Sequence, residues 1–262
     1  MKRLFVFFMI LATWAALPAR TYAREVADPL DTHARLLMGV GTDNWDRSSN
    51  LAGVQHVDTA TFAGYLEEDA EGLYLAYHVT LLGGGLGSVK FSDGTATSKT
   101  FMTNLNMDFQ GVCFTTKGVA VMLGPYIGLS AVGMGGASTN LTSVRGDVEG
   151  IIISTLGASL RVHSFIGDHL ELALQGFYGF WTPYSNLTIA SASSGLLGGT
   201  STMAYTFDGI SDLGLSIQVG IRFMRQIGVV LGAKYEDTTV TGSSRSMEIT
   251  NLNSLLALGL WF

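Results

Sequence analysis

The chain has a single cysteine, Cys113, so no disulfide can form within it. Proline is nearly as scarce, at four residues. Long segments are therefore free of the residue that cannot donate to a hydrogen-bonded ladder. Basic side chains are few: 15 Lys and Arg stand against 21 Asp and Glu, a net charge of −6. That balance excludes a nucleic-acid-binding surface, whose affinity rests on cationic contacts to phosphate. Beyond the first 17 residues no stretch of 18 uninterrupted apolar residues occurs. This excludes a bundle of membrane-spanning helices. Yet 47% of the chain is apolar and 33 residues are glycine. A chain this apolar, with no long apolar runs, must distribute its apolar residues periodically.

The N-terminus, MKRLFVFFMILATWAALPARTYA, has a basic start at Lys2 and Arg3 and an apolar stretch from Leu4 to Leu17. Thr21 and Ala23 add small residues at signal-peptidase spacing. Residues 1–23 read as a secretory signal peptide cut after Ala23. The alternative, an uncleaved anchor, needs about 20 apolar residues, and the run is shorter. No cysteine lies near the cut, so lipid attachment is not expected. Residues 24–32 read as a short periplasmic segment and residues 33–262 as one domain.

The period of that domain is two. In 212–223 Leu213, Leu215, Ile217, Val219, Ile221 and Phe223 alternate with Asp212, Gly214, Ser216, Gln218, Gly220 and Arg222. Such a segment is a β-strand with one apolar and one polar face. Similar alternation runs through 73–81, 104–110, 152–162, 170–180 and 227–236, less cleanly through 119–131, and most weakly through 33–42 and 54–66. Pro125 predicts a bulge or local distortion. Alternation alone fits a soluble barrel with its apolar face inward or a transmembrane barrel with that face toward lipid. The strand ends favour the second. Tyr65, Phe165, Phe223 and Phe262 fall at one set of ends and Tyr178, Phe180 and Tyr235 at the other. They read as two aromatic girdles at membrane interfaces.

Connections are expected to alternate in length. Short ones fall at 67–70, 116–118, 165–168 and 224–226, long polar ones at 43–53, 85–100, 134–147, 183–208 and 237–245. Counting hairpins predicts an all-β fold, a closed antiparallel up-and-down transmembrane β-barrel of ten strands, with both termini on the short-turn side. Eight strands would follow if the first two segments fail to pair. Twelve would follow if 183–208 hides a hairpin at Leu187–Ile189 and Met203–Phe207. The chain closes on Leu256, Leu258, Leu260, Trp261 and Phe262. A terminal aromatic preceded by alternating apolar residues resembles the insertion signal of Gram-negative outer-membrane β-barrel proteins. The resemblance implies residence in outer-membrane lipid after Sec-type export, and the barrel-assembly machinery as partner during insertion. It names no narrower family. Trp261 and Phe262 serving only as interface anchors is a compatible reading.

The polar face carries Arg161, Glu171, Asp212, Arg222, Lys234 and Glu236, nearly balanced in charge. In a barrel this narrow they are expected to pair and fill the lumen. A plugged barrel acting in envelope structure, or binding an unspecified surface ligand through its long loops, is the first expectation. Trp45 is the exposed aromatic candidate there. A narrow diffusion channel is the alternative, and a hydrolase at the rim or in the lumen a second. Ten-stranded barrels resemble the omptin proteases in strand number, a fold-level analogy. His33, His163 and His169 are placed near the periplasmic end, His56 and His78 higher. With a turn centred on Glu68, Asp58 would face His78 inside the barrel, with Asp108 one strand on. That polar cluster could act as an oriented general base. No nucleophile or metal set accompanies it, and no cofactor is expected. Cys113 is placed toward lipid.

Overall fold

The computed structural model describes residues 33–50, 57–72, 74–91, 99–116, 118–140, 143–167, 169–194, 200–224 and 226–262. Residues 1–23, expected as a signal peptide, the expected periplasmic segment 24–32 and His56 lie outside the described residues. Twelve strands follow in order. They are β1 (His33–Ser49), β2 (Val57–Glu71), β3 (Leu75–Phe91), β4 (Lys99–Thr116), β5 (Val119–Asn140) and β6 (Ser143–Ile166). Then come β7 (Leu170–Trp181), β8 (Ser185–Ser194), β9 (Thr200–Phe207), β10 (Gly209–Arg222), β11 (Ile227–Gly242) and β12 (Arg245–Trp261).

Ten of them form the ring. Each strand from β1 to β7 pairs with the next, β7 pairs with β10, and the ring closes through β11 and β12 back onto β1. All pairings are antiparallel. At the seam, Phe262 N donates to Ala34 O at 2.8 Å. The hairpin inside 183–208 exists but does not widen the ring. β6 pairs first with β7, up to Trp181, and then with β8 from Ser185. Ser154 holds the junction, its hydroxyl donating to Tyr184 O at 2.6 Å. β8 and β9 thus carry the lines of β7 and β10 onward, past breaks at Pro183 and Asp208.

Alternation sets the two faces. On β10, Leu213, Leu215, Ile217 and Ile221 are exposed while Asp212 and Gln218 are buried in the lumen. On β12, Leu252, Leu256, Leu258 and Leu260 point out, and Phe262 follows them. Outward leucines on a closed cylinder are stable only against hydrocarbon. Farther from the short turns the rule inverts. There Trp45, Ile151, Ile153, Val240, Met247 and Ile249 point inward and pack together. Asn44, Asp46, Asp237 and Glu248 on the same strands are exposed. The strands have left the membrane, and water now meets their outer face.

This inversion accounts for most departures from the expected layout. The long connections are largely strand: β1 reaches Ser49, and β5 and β6 run 22 and 24 residues. Crossing a bilayer needs only about 9–11. Trp45 is buried in the lumen, not displayed on a loop. Tyr65 and Phe165 also turn inward and leave the lower girdle, where Phe223, Phe262, Tyr74 and Phe114 are exposed. The upper girdle retains Tyr178, Phe180 and Tyr235. Pro125 pairs in register with Ala158 on the β6 side. The β4–β5 register shift falls at Cys113, whose side chain is exposed on the outer face.

The short turns cluster at the end that holds both strand termini. Gly118 and Gly167 have φ of +83° and +64°, a conformation that costs other residues a steric penalty. The first turn is displaced from its expected place. Glu67–Ala70 is strand, and the chain reverses at Gly72–Tyr74. Glu67, Asp69 and Glu71 therefore alternate into the lumen, each at most 5% exposed.

Candidate functional site: the filled lumen

The three acids from β2 meet Arg35 of β1 and Arg161 and His163 of β6. Arg35 donates to Glu67 and to Glu171 and, at 2.8 Å, to Gln218. Arg161 grips Asp69 with both terminal nitrogens, Nη1 at 2.9 Å. His163 sits between Glu71 at 2.6 Å and Glu171 at 2.8 Å. Trp261 Nε1 donates to Glu171 at 2.5 Å. β2 and β6 lie four strands apart around a ring of ten, so the Arg161–Asp69 and His163–Glu71 pairs cross the bore. Each charge is buried, and each is opposed by a partner with directed hydrogen bonds. That is the condition under which buried ions are tolerated.

A hydrogen-bonded layer lies against this plate. His78 Nδ1 meets Asp108 Oδ2 at 3.2 Å, and its Nε2 lies 3.4 Å from Glu67. Gln175 donates to the same Asp108 oxygen at 2.8 Å. Tyr126 and Phe177 stack at 4.3 Å, and Lys234 sits 4.8 Å over the Phe177 ring. Between these groups a cavity of about 60 Å³ remains. Beyond it, a second cavity of about 20 Å³ touches Glu236, Thr238 and Asn251. The inward apolar cluster of Trp45, Ile151, Leu187, Phe207, Met247 and Ile249 then fills the outer bore.

The six polar residues anticipated as one network divide into three settings. Arg161 and Glu171 belong to the ionic plate. Lys234 pairs with Glu236 at 2.7 Å, and Asp212 accepts from Thr238 at 2.9 Å, both farther up. Arg222 stands over Phe165 at 4.7 Å and Trp261 at 5.9 Å, at the short-turn mouth. Trp261 points into the lumen at 3% exposure, so it is no lipid-interface anchor. The Asp58–His78–Asp108 cluster is not assembled. The β2–β3 register sets Asp58 opposite Lys90, and Asp58 is exposed, while His78 lies opposite Asp69. His78 belongs to the short-turn half. His169 is exposed at the β6–β7 turn. Most of the plate (Arg35, Glu67, Asp69, Glu71) went unread in the sequence. The signal was present: Glu67, Asp69 and Glu71 continue the inward parity of Tyr65.

Asp69, Glu71 and His163 place ligand atoms within 4.8 Å of one another, as a metal would require. A cation there would have to displace the Arg161 guanidinium from Asp69. The donor set therefore fits an ion-pair plate and not a metal centre.

A closed ten-strand ring with outward leucines and a buried polar interior defines an outer-membrane β-barrel. No protein-family model matches the chain, and no curated protein matches it. Among solved structures it is similar to the outer membrane protease OmpT from Escherichia coli, with a TM-score of 0.59 at 11% identity over 90% of this chain and 99% of that one. It is also similar to the translocator domain of autotransporter NalP from Neisseria meningitidis (TM-score 0.46, 12% identity, 87% and 88% covered). A third is Ail, the attachment invasion locus protein of Yersinia pestis (0.37, 11%, 87% and 99%). The OmpT likeness shows a shared fold and carries no activity across.

Proposed function

We propose that this chain is a sealed, non-enzymatic outer-membrane barrel that acts through the extended outer end of its wall, in envelope structure or in binding a surface ligand. The lumen carries the reading. The ionic plate crosses the bore at the short-turn end, and the apolar cluster fills it at the other. Among the described residues, small cavities of about 60 and 20 Å³ lie between them. Trp45, Ile151, Phe207 and Met247 belong to one buried apolar cluster in the outer bore. The rigid β extensions, rather than flexible loops, are the surface offered to partners. The polar group considered for hydrolysis loses Asp58 to the outer face, which removes its third member.

Conductance in planar lipid bilayers tests this. The refolded full chain is expected to give no discrete current steps in molar KCl. Stable unitary steps at low voltage would replace the sealed barrel by the narrow diffusion channel.

A further inference from the structure

The wall leaves one strand edge open at its outer end. β9 pairs with β8 from Ser185↔Phe207 to Ala192↔Thr200, and among the described residues no strand pairs along its other side. The cause is a difference in height. β11 ends at Gly242 and β12 begins at Arg245, so the hairpin that would flank β9 stops level with Thr206. A Cβ at Gly242 would lie 3.1 Å from Thr206 O. Thr200–Tyr205 stand beyond that tip, about 20 Å of strand at about 3.3 Å per residue. Asp208 N donates to Thr241 O at 3.0 Å, and Thr206 O faces Gly242. Backbone groups of successive strand residues point to opposite edges. Thr202 and Ala204 therefore direct their N–H and C=O groups into the gap, while the odd-numbered residues bond to β8. Open edges are ordinarily blunted by charge, proline or a bulge. β9 reads TSTMAYTF, with neither charge nor proline, and its pairing with β8 has no register shift. Such an edge is a template for one more strand.

Charge marks what that strand carries. Arg245 opens β12 beside the gap, is exposed, and stacks 4.8 Å over the Tyr205 ring. Among the described residues no carboxylate pairs with it. In a chain of net charge −6, a cation held at the foot of an open edge stands out. It supplies one charge-assisted anchor beside a row of main-chain hydrogen bonds. A second copy presenting the same edge brings no acid to meet it, since neither β8 nor β9 contains one.

We infer that the β9 edge takes up an extended acidic segment of a partner protein, which adds as a strand along β9 and sets a carboxylate on Arg245. This rests on the surface-binding reading above and names the chemistry of its ligand. The test uses the refolded full chain in detergent micelles and the fluorescein-labelled peptide Asp-Thr-Val-Thr-Val-Thr-Asp, whose terminal acids reach Arg245 in either strand direction. Fluorescence anisotropy is expected to show saturable binding of one peptide per chain. Arg245→Ala should weaken it at least about tenfold, the loss of one charged hydrogen bond. Ala204→Pro removes a donor that faces the gap and spares the β8 ladder, and should weaken binding by a similar factor. If Ala204→Pro does not fold, as judged by heat-modifiable gel migration, the peptide N-methylated at every residue loses its own donors without altering the protein, and should not bind. The lysine counterpart, Lys-Thr-Val-Thr-Val-Thr-Lys, should not bind either. Equal binding of the acidic peptide by Arg245→Ala, or of the N-methylated peptide by the wild type, overturns the site. So does a wild-type dimer, seen by sedimentation and lost in Ala204→Pro, which would put a second copy on the edge. A barrel that stays silent in the conductance assay yet binds no acidic peptide loses this site and keeps its seal.

Discussion

Arg35 is the residue whose removal should cost most. It is 1% exposed and engages Glu67, Glu171 and Gln218, with Asp69 at 3.5 Å. Arg35→Met keeps most of the volume and removes the charge. Glu67 would retain Gln218 Nε2 at 2.7 Å and His78 at 3.4 Å, and Glu171 would retain His163 and Trp261. The two carboxylates stay hydrogen-bonded yet lose the guanidinium between them. Breaking a buried pair from one side costs about 3–5 kcal/mol. At 1.4 kcal/mol per decade, the unfolding constant rises by roughly two to three and a half orders of magnitude. With a slope of about 2 kcal/mol per molar urea, the midpoint falls by about 2 M. Urea unfolding in lipid vesicles, followed by tryptophan fluorescence, measures this. Arg35→Met combined with Glu67→Leu should recover part of the loss, since it removes a charge the single variant strands. A midpoint change under about 0.3 M for Arg35→Met, or a double variant whose loss is the full sum of the singles, would refute the view that the plate is held by mutual charge compensation.

Three further outcomes follow from other parts of the wall. Leu215→Arg places a guanidinium on the lipid face of β10, where Leu215 is 59% exposed, and should destabilise the barrel by about 2–4 kcal/mol if the position lies near the bilayer midplane. The same unfolding assay checks it, and a neutral effect would mean that water, not lipid, meets that face. Gly214→Ala drives a methyl group to within 1.9 Å of the Phe177 ring. It should cost about 1–3 kcal/mol through displacement of the Tyr126–Phe177 stack, visible as a changed near-ultraviolet dichroism. Trp261→Phe deletes the donor to Glu171 and should cost about 1–3 kcal/mol, measured as a lowered urea midpoint with unchanged heat-modifiable migration.

Much of this fold is legible because lipid enforces a strict alternation. On β10, β12 and the lower half of β6, apolar residues fall on every second position, and strand, face and membrane follow from counting. Legibility fails at the edges of the hydrocarbon. Glu67, Glu68 and Asp69 look like a solvated turn because adjacent charges usually are one. Only the partners of Glu67 and Asp69, Arg35 on the neighbouring strand and Arg161 across the bore, make them an acceptable strand, and those partners lie at sequence separations of 32 and 92 residues. A register error of a few residues at that turn was enough to bring Asp58 opposite His78 on paper. Outside the membrane the alternation reverses its meaning. Trp45, Ile151 and Ile153 are core there, although the rule that holds lower on the wall would make inward positions polar.

The longest hairpin, β5–β6, continues the membrane-crossing wall without a joint. Its strands of 22 and 24 residues exceed a bilayer crossing by roughly 12 to 14 residues, about 40–45 Å of further strand at about 3.3 Å per residue. A molecule captured at that tip would be held at a fixed stand-off and angle to the cell surface. It would not drift on a tether, and shortening the hairpin two residues at a time would lower it by measured steps.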